Sequence, residues 1–157
     1  MLLLTAARGQ LRRWATHMDA SDRKRWLRAV LLLGVVYFVI AIAFGEFASR
    51  AASDSMRETW NRLAFLACGV AFAVHIGYEH FRLGNSPRIT ASHASIAVAV
   101  GAFALALKAN IHDLGSASGY RPRMLIALVV WPLLTAVPAF IVALVVAAGL
   151  TLRRAST

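Results

Sequence analysis

The sequence predicts an all-α fold, a four-helix transmembrane bundle preceded by an N-terminal interfacial amphipathic helix. Hydrophobic residues make up 59% of the chain and charged residues only 15%, and the mean hydropathy is +0.64. A soluble domain of this length does not need so apolar a composition. Stretches close to the roughly 20 residues that cross a bilayer occur at 27–45, 63–81, 89–107 and 124–150. The chain therefore divides into a surface helix, 1–20, and a transmembrane domain, 21–157.

The N-terminal segment has the pattern of a helix that lies flat on a membrane. At about 100° per residue, its apolar side chains share one arc: Leu3, Leu4, Ala7, Leu11, Trp14, Ala15 and Met18. The opposite arc is polar and basic: Arg8, Arg12, Arg13 and His17. Such a helix buries its apolar side at the interface while its arginines face anionic headgroups. Docking on a partner protein is the alternative that the same pattern allows.

Basic residues predict how the chain crosses the membrane. Eleven Lys and Arg fall in the N-terminal arm, the turn 82–88 and the C-terminal tail, against six in the loops 46–62 and 108–123. The positive-inside rule therefore places both termini in the cytoplasm. Anionic lipid explains the net charge of +10, so we expect no nucleic-acid partner. Fifteen Arg against two Lys, with abundant alanine, indicate a bacterial inner (cytoplasmic) membrane protein.

Two prolines, the single cysteine and the absence of catalytic motifs place further limits on the fold and on the chemistry of the chain. The fourth apolar segment contains Pro132 and Pro138, which predict a kink or tilt there. Cys68 is the only cysteine, so no intrachain disulfide or thiolate cluster can form. The sequence shows no nucleophile arrangement, phosphate-binding glycine loop or pair of catalytic carboxylates.

The second and third segments each carry a stripe of small and polar residues at helical spacing. The first stripe is Asn61, Ala64, Cys68, Ala71, His75, Glu79 and Arg82. The second stripe is Thr90, His93, Ala97, Gly101, Ala104 and Lys108. Small residues allow transmembrane helices to approach closely, and the turn between the segments is short. We therefore expect an antiparallel hairpin with facing stripes and with His75 and His93 at nearly the same depth.

The sequence leaves several roles open for His75, Glu79 and His93. They can form a buried hydrogen-bond network that joins the two helices, or act as ligands of a divalent metal such as zinc or iron. No recognised metal signature is present. A b-type haem between His75 and His93 is a further alternative, whereas small apolar residues above the cluster argue against proton movement. Glu79 and His80 lie nearer the headgroups and are expected to snorkel.

These patterns predict a small multi-pass membrane protein that acts as a non-catalytic accessory or assembly subunit. Its expected partners are the lipid bilayer and either larger membrane proteins or further copies of itself. The alternative is a metal- or haem-binding redox or hydrolytic protein with its site at His75, Glu79 and His93.

Overall fold

The computed structural model describes residues 20–114 and 123–155, and within these ranges the chain forms four helices and no strand. The helices are α1, Ala20–Ser49; α2, Asp54–Gly77, which continues as a π-helical turn, Tyr78–Arg82; α3, Pro87–Leu114; and α4, Arg123–Ala155. All four are long and apolar enough to cross a membrane. The predicted all-α transmembrane bundle is confirmed. The predicted surface helix, 1–20, lies outside the described residues except for its last residue.

Local sequence signals explain where the helices begin. Ser53 caps α2, since its Oγ accepts a hydrogen bond from the Met56 N–H at 3.2 Å, and this pairs a backbone donor that the first turn leaves free. Pro87 opens α3, a position where the missing N–H has no cost. The turn before it contains Gly84 with a φ of 64°, a conformation that glycine adopts without strain.

Helix α3 lies at the centre of the bundle. It packs most extensively on α4 and then on α1, whereas α2 packs mainly on α1 and touches α3 and α4 at few places. The predicted face-to-face packing of the second and third segments is therefore wrong over most of their length. We call the end of the bundle that contains the start of α1 and the turn 83–86 the inner end.

Close approach of α1 and α3 is the reason for this difference. A Cβ atom added to Gly101 would lie 2.8 Å from Tyr37 Cβ, and one added to Gly34 would lie 2.5 Å from Val100 Cγ1. The glycines let these two backbones come together, so α1 takes the place that α2 was expected to fill. Side chains from both predicted stripes, Cys68, Ala71 and Ala97, pack in the same cluster around α1.

Helix α4 packs on α3 through alanines. A cluster near the inner end contains Ala91 and Ala94 of α3 and Ala143 and Ala147 of α4. Ile76 of α2, only 2% exposed, packs into this cluster and closes the space between α2 and α4 there. Pro132 and Pro138 both lie inside α4, which is one continuous helix.

Candidate functional site

A carboxylate surrounded by nitrogen donors lies at the inner end of the bundle. His93 Nδ1 is 3.1 Å from both carboxylate oxygens of Glu79, and the Asn85 side-chain amide donates a hydrogen bond to Oε2. His75 Nε2 lies 3.6 Å from Oε1, which is beyond a hydrogen bond. The structure thus brings His75, Glu79 and His93 together, as the sequence predicts.

The contact between Glu79 and His93 is a hydrogen bond through Nδ1 of the imidazole. An ionised carboxylate only accepts hydrogen bonds, so Nδ1 is the donor whenever Glu79 is charged. The Trp26 and His93 rings lie 5.4 Å apart at 49°, which helps to hold this orientation. The cluster therefore joins α1, α2, α3 and the turn between α2 and α3.

The π-helical turn at the end of α2 changes the exposure that the sequence predicts for Glu79 and His80. The Leu83 N–H bonds to the Tyr78 carbonyl at 3.3 Å, and the Asn85 N–H bonds to the Glu79 carbonyl at 3.2 Å. The wider turn holds an extra residue, so two consecutive side chains point inward. Glu79 is 3% exposed and His80 is 5% exposed. The expectation that both snorkel to the headgroups is wrong.

Several buried polar atoms near the inner end of the bundle lack a hydrogen-bond partner. They are Trp26 Nε1, both ring nitrogens of His75, both ring nitrogens of His80, and Thr90 Oγ1. Buried polar groups are nearly always paired, with protein or with water. The sequence places Thr90 on the second stripe, whereas the burial of His80 depends on the π-helical turn, which the sequence does not indicate.

This geometry bears on the two cofactor alternatives, a haem and a divalent metal. Both imidazoles lie within 3.6 Å of one carboxylate, so a porphyrin between His75 and His93 does not fit. Across residues 20–114 and 123–155, no group of three or more His, Cys, Asp or Glu side chains is arranged to hold a metal ion. A metal on His75, Glu79 and His93 stays a prediction, which metal analysis of protein purified without chelator would test.

A cavity of about 670 Å³ separates α2 from α4 above Ile76, and all four helices line it. Its walls carry four aromatic rings, those of Tyr37, Phe65, Phe72 and Trp131.

No family model, curated protein or solved structure matches the chain. Function is therefore inferred from the geometry of the chain itself.

Helix α2 also carries small residues four positions apart that no other described helix covers, and two of them, Gly69 and Ala73, line the open cavity. Gly69 and Ala73 are exposed and Gly77 is half-buried. A Cβ atom added to Gly69 or to Gly77 would meet nothing within 4 Å, so their small size is not required by packing inside the chain. This spacing is the pattern by which transmembrane helices associate.

Proposed function

We propose that this membrane protein is a non-catalytic accessory or assembly subunit that packs against a larger membrane partner through α2. The observation that carries the proposal is the uncovered face formed by Gly69, Ala73 and Gly77, which we call the α2 small face. In a bilayer, apolar bulk gains nothing by leaving lipid, whereas small residues let a second helix approach closely. A transmembrane helix of the partner is the expected occupant.

The polar cluster supports a structural role. Helix α2 makes few contacts with α3 and α4, and the bonds from His93 and Asn85 to Glu79 hold its inner end against α3 and the turn. Hydrogen bonds between membrane helices contribute about 0.6 kcal/mol on average, enough to influence how α2 is oriented against α3. The network thereby holds the inner end of α2, while Gly69 and Ala73 of the α2 small face line the open cavity between α2 and α4.

Site-specific photocrosslinking in native membranes tests this proposal. A photoreactive amino acid at Ala73 should form a covalent adduct with one discrete membrane protein, because that position lies on the α2 small face. The matched control is Val74, the next residue, which is exposed on a different side of α2. A probe at Val74 should react mainly with lipid.

A second variant shows whether the adduct depends on close helix packing. Gly77→Leu adds bulk where nothing lies within 4 Å of the new Cβ, so the fold should persist while the partner helix is held away. We expect the Ala73 adduct to fall at least severalfold in this variant. Equal protein adducts at Ala73 and Val74, or none at either position, would contradict the proposal.

We further propose that both termini lie in the cytoplasm of a bacterial cell and that the N-terminal helix contacts anionic headgroups. The support is the excess of Lys and Arg on that side. In a Cys68→Ala background, an impermeant maleimide should label Ala52→Cys in intact cells. It should label Ser156→Cys only after the membrane is opened. The reverse pattern would overturn this orientation.

A further inference from the structure

We propose that a groove between α1 and α3, at the end of the bundle opposite the inner end, binds the phosphate and one acyl chain of an anionic phospholipid. This outer groove has a volume of about 460 Å³. Its lining residues are Phe38 of α1 and Ala104, Leu107, Lys108, Ile111 and His112 of α3. None of them lines the cavity between α2 and α4, so the outer groove is separate from the α2 small face.

The two basic side chains of the outer groove lie at the level of lipid headgroups. Pro87 opens α3 at the inner end, and Lys108 follows 21 residues later, which is about 32 Å at 1.5 Å per residue. The hydrocarbon core of a bilayer is about 30 Å thick, so Lys108 reaches the opposite interface. His112 lies one turn further along α3 and lines the same groove.

The apolar part of the groove lies deeper in the membrane than these basic groups. The Phe38 backbone lies against Gly101, since a Cβ atom added to Gly101 would be 3.6 Å from the Phe38 nitrogen. Gly101 precedes Lys108 by seven residues, about 10 Å along the helix. Ala104 and Leu107 lie between these two levels. The groove therefore has cations at the interface and an apolar wall below them, which matches the order of phosphate and acyl chain in a phospholipid.

Lys108 forms no ion pair with any described side chain. The three described carboxylates at this end of the bundle, Glu46, Asp54 and Glu58, each pair with an arginine three or four residues later on the same helix. A lipid phosphate would give Lys108 a counterion, and basic pockets between transmembrane helices bind anionic headgroups in this way. His112 adds an imidazole nitrogen that can donate a further hydrogen bond.

Two features favour a lipid over a partner helix as the occupant. Apart from Ala104, the apolar lining of the groove is bulky, whereas helices in membranes associate through small residues. A partner helix would also have to bring a carboxylate to Lys108, and Asp and Glu are rare within membrane-spanning segments. A phospholipid supplies both the anion and a flexible chain.

Photocrosslinking of the full chain in nanodiscs tests this proposal. The nanodiscs contain phosphatidylcholine with a minor fraction of phosphatidylglycerol, and a photoreactive amino acid replaces Leu107. Mass spectrometry of the lipid adducts should show phosphatidylglycerol enriched about 5-fold over its share of the bilayer, as one lysine near a headgroup predicts. The matched control is Phe103, which is exposed one turn earlier on α3 and does not line the groove. Adducts there should follow the bulk lipid composition.

Two charge variants separate a specific site from general attraction of anionic lipid. Lys108→Gln removes the cation and should return the Leu107 adducts to the bulk composition. Arg62→Gln removes the same charge from an arginine that already pairs with Glu58, and should leave the enrichment unchanged. Inorganic phosphate at matched ionic strength should not compete, because it lacks the acyl chain that the apolar wall holds.

Four results would overturn the proposal. They are equal enrichment at Leu107 and Phe103, enrichment that survives Lys108→Gln or falls equally in Arg62→Gln, loss of enrichment on adding inorganic phosphate, and a discrete protein adduct at Leu107 in native membranes. The Ala73 photocrosslink is independent of these readouts, because no described residue of α2 lines the outer groove.

Discussion

Replacing Glu79 by leucine is expected to lower the free energy of unfolding by about 3 kcal/mol. Leucine fits the space of the glutamate but cannot accept a hydrogen bond. His93 Nδ1 and the Asn85 amide, both bonded to the carboxylate in the folded protein, would then be left without an acceptor in a buried site. Unfolding by increasing dodecyl sulfate in mixed micelles, followed by loss of helicity, measures the difference.

Three further variants show which contact carries this effect. Glu79→Gln keeps a carbonyl acceptor and should cost clearly less than Glu79→Leu. His93→Leu should cost more than His75→Leu, because His93 bonds the carboxylate at 3.1 Å while the ring nitrogens of His75 make no hydrogen bond. A larger loss in His75→Leu than in His93→Leu would show that the proposed network does not hold α2 in place.

Replacing Gly101 by leucine should have a comparably large effect, about 3 kcal/mol, through overpacking. Even a Cβ atom at this position would lie 2.8 Å from Tyr37 Cβ and 3.1 Å from the Gly34 carbonyl oxygen. Neither atom is at the end of a flexible side chain, so α1 and α3 must move apart. The same mixed-micelle unfolding measures the loss of stability.

The matched control for Gly101 is Gly45, in the outer half of α1. A Cβ atom added there meets nothing within 4 Å, and leucine is a better helix former than glycine by up to about 1 kcal/mol. Gly45→Leu should therefore leave stability unchanged or raise it. Similar losses in Gly45→Leu and Gly101→Leu would mean that close approach of α1 and α3 is not what stabilises the bundle.

The candidate site was only partly predictable from the sequence. The spacing of His75 and Glu79 on one helix face, with a short turn before His93, was enough to predict that these three side chains meet. The burial of His80 could not be predicted from that spacing, because a π-helical turn shifts the register after Gly77. The cavity and the α2 small face depend on where neighbouring helices are absent, which no pattern within one segment reports.

By itself, the sequence determined that this chain forms four membrane-spanning helices, since length and hydropathy are properties of each segment alone. It also determined which faces carry small and polar side chains. Only the tertiary structure decided which helix each face meets, and it placed α1 between the stripes of α2 and α3. The physical reason is that lipid solvates every apolar face about equally well, so the choice of neighbour depends on how closely particular backbones, such as those at Gly34 and Gly101, can approach.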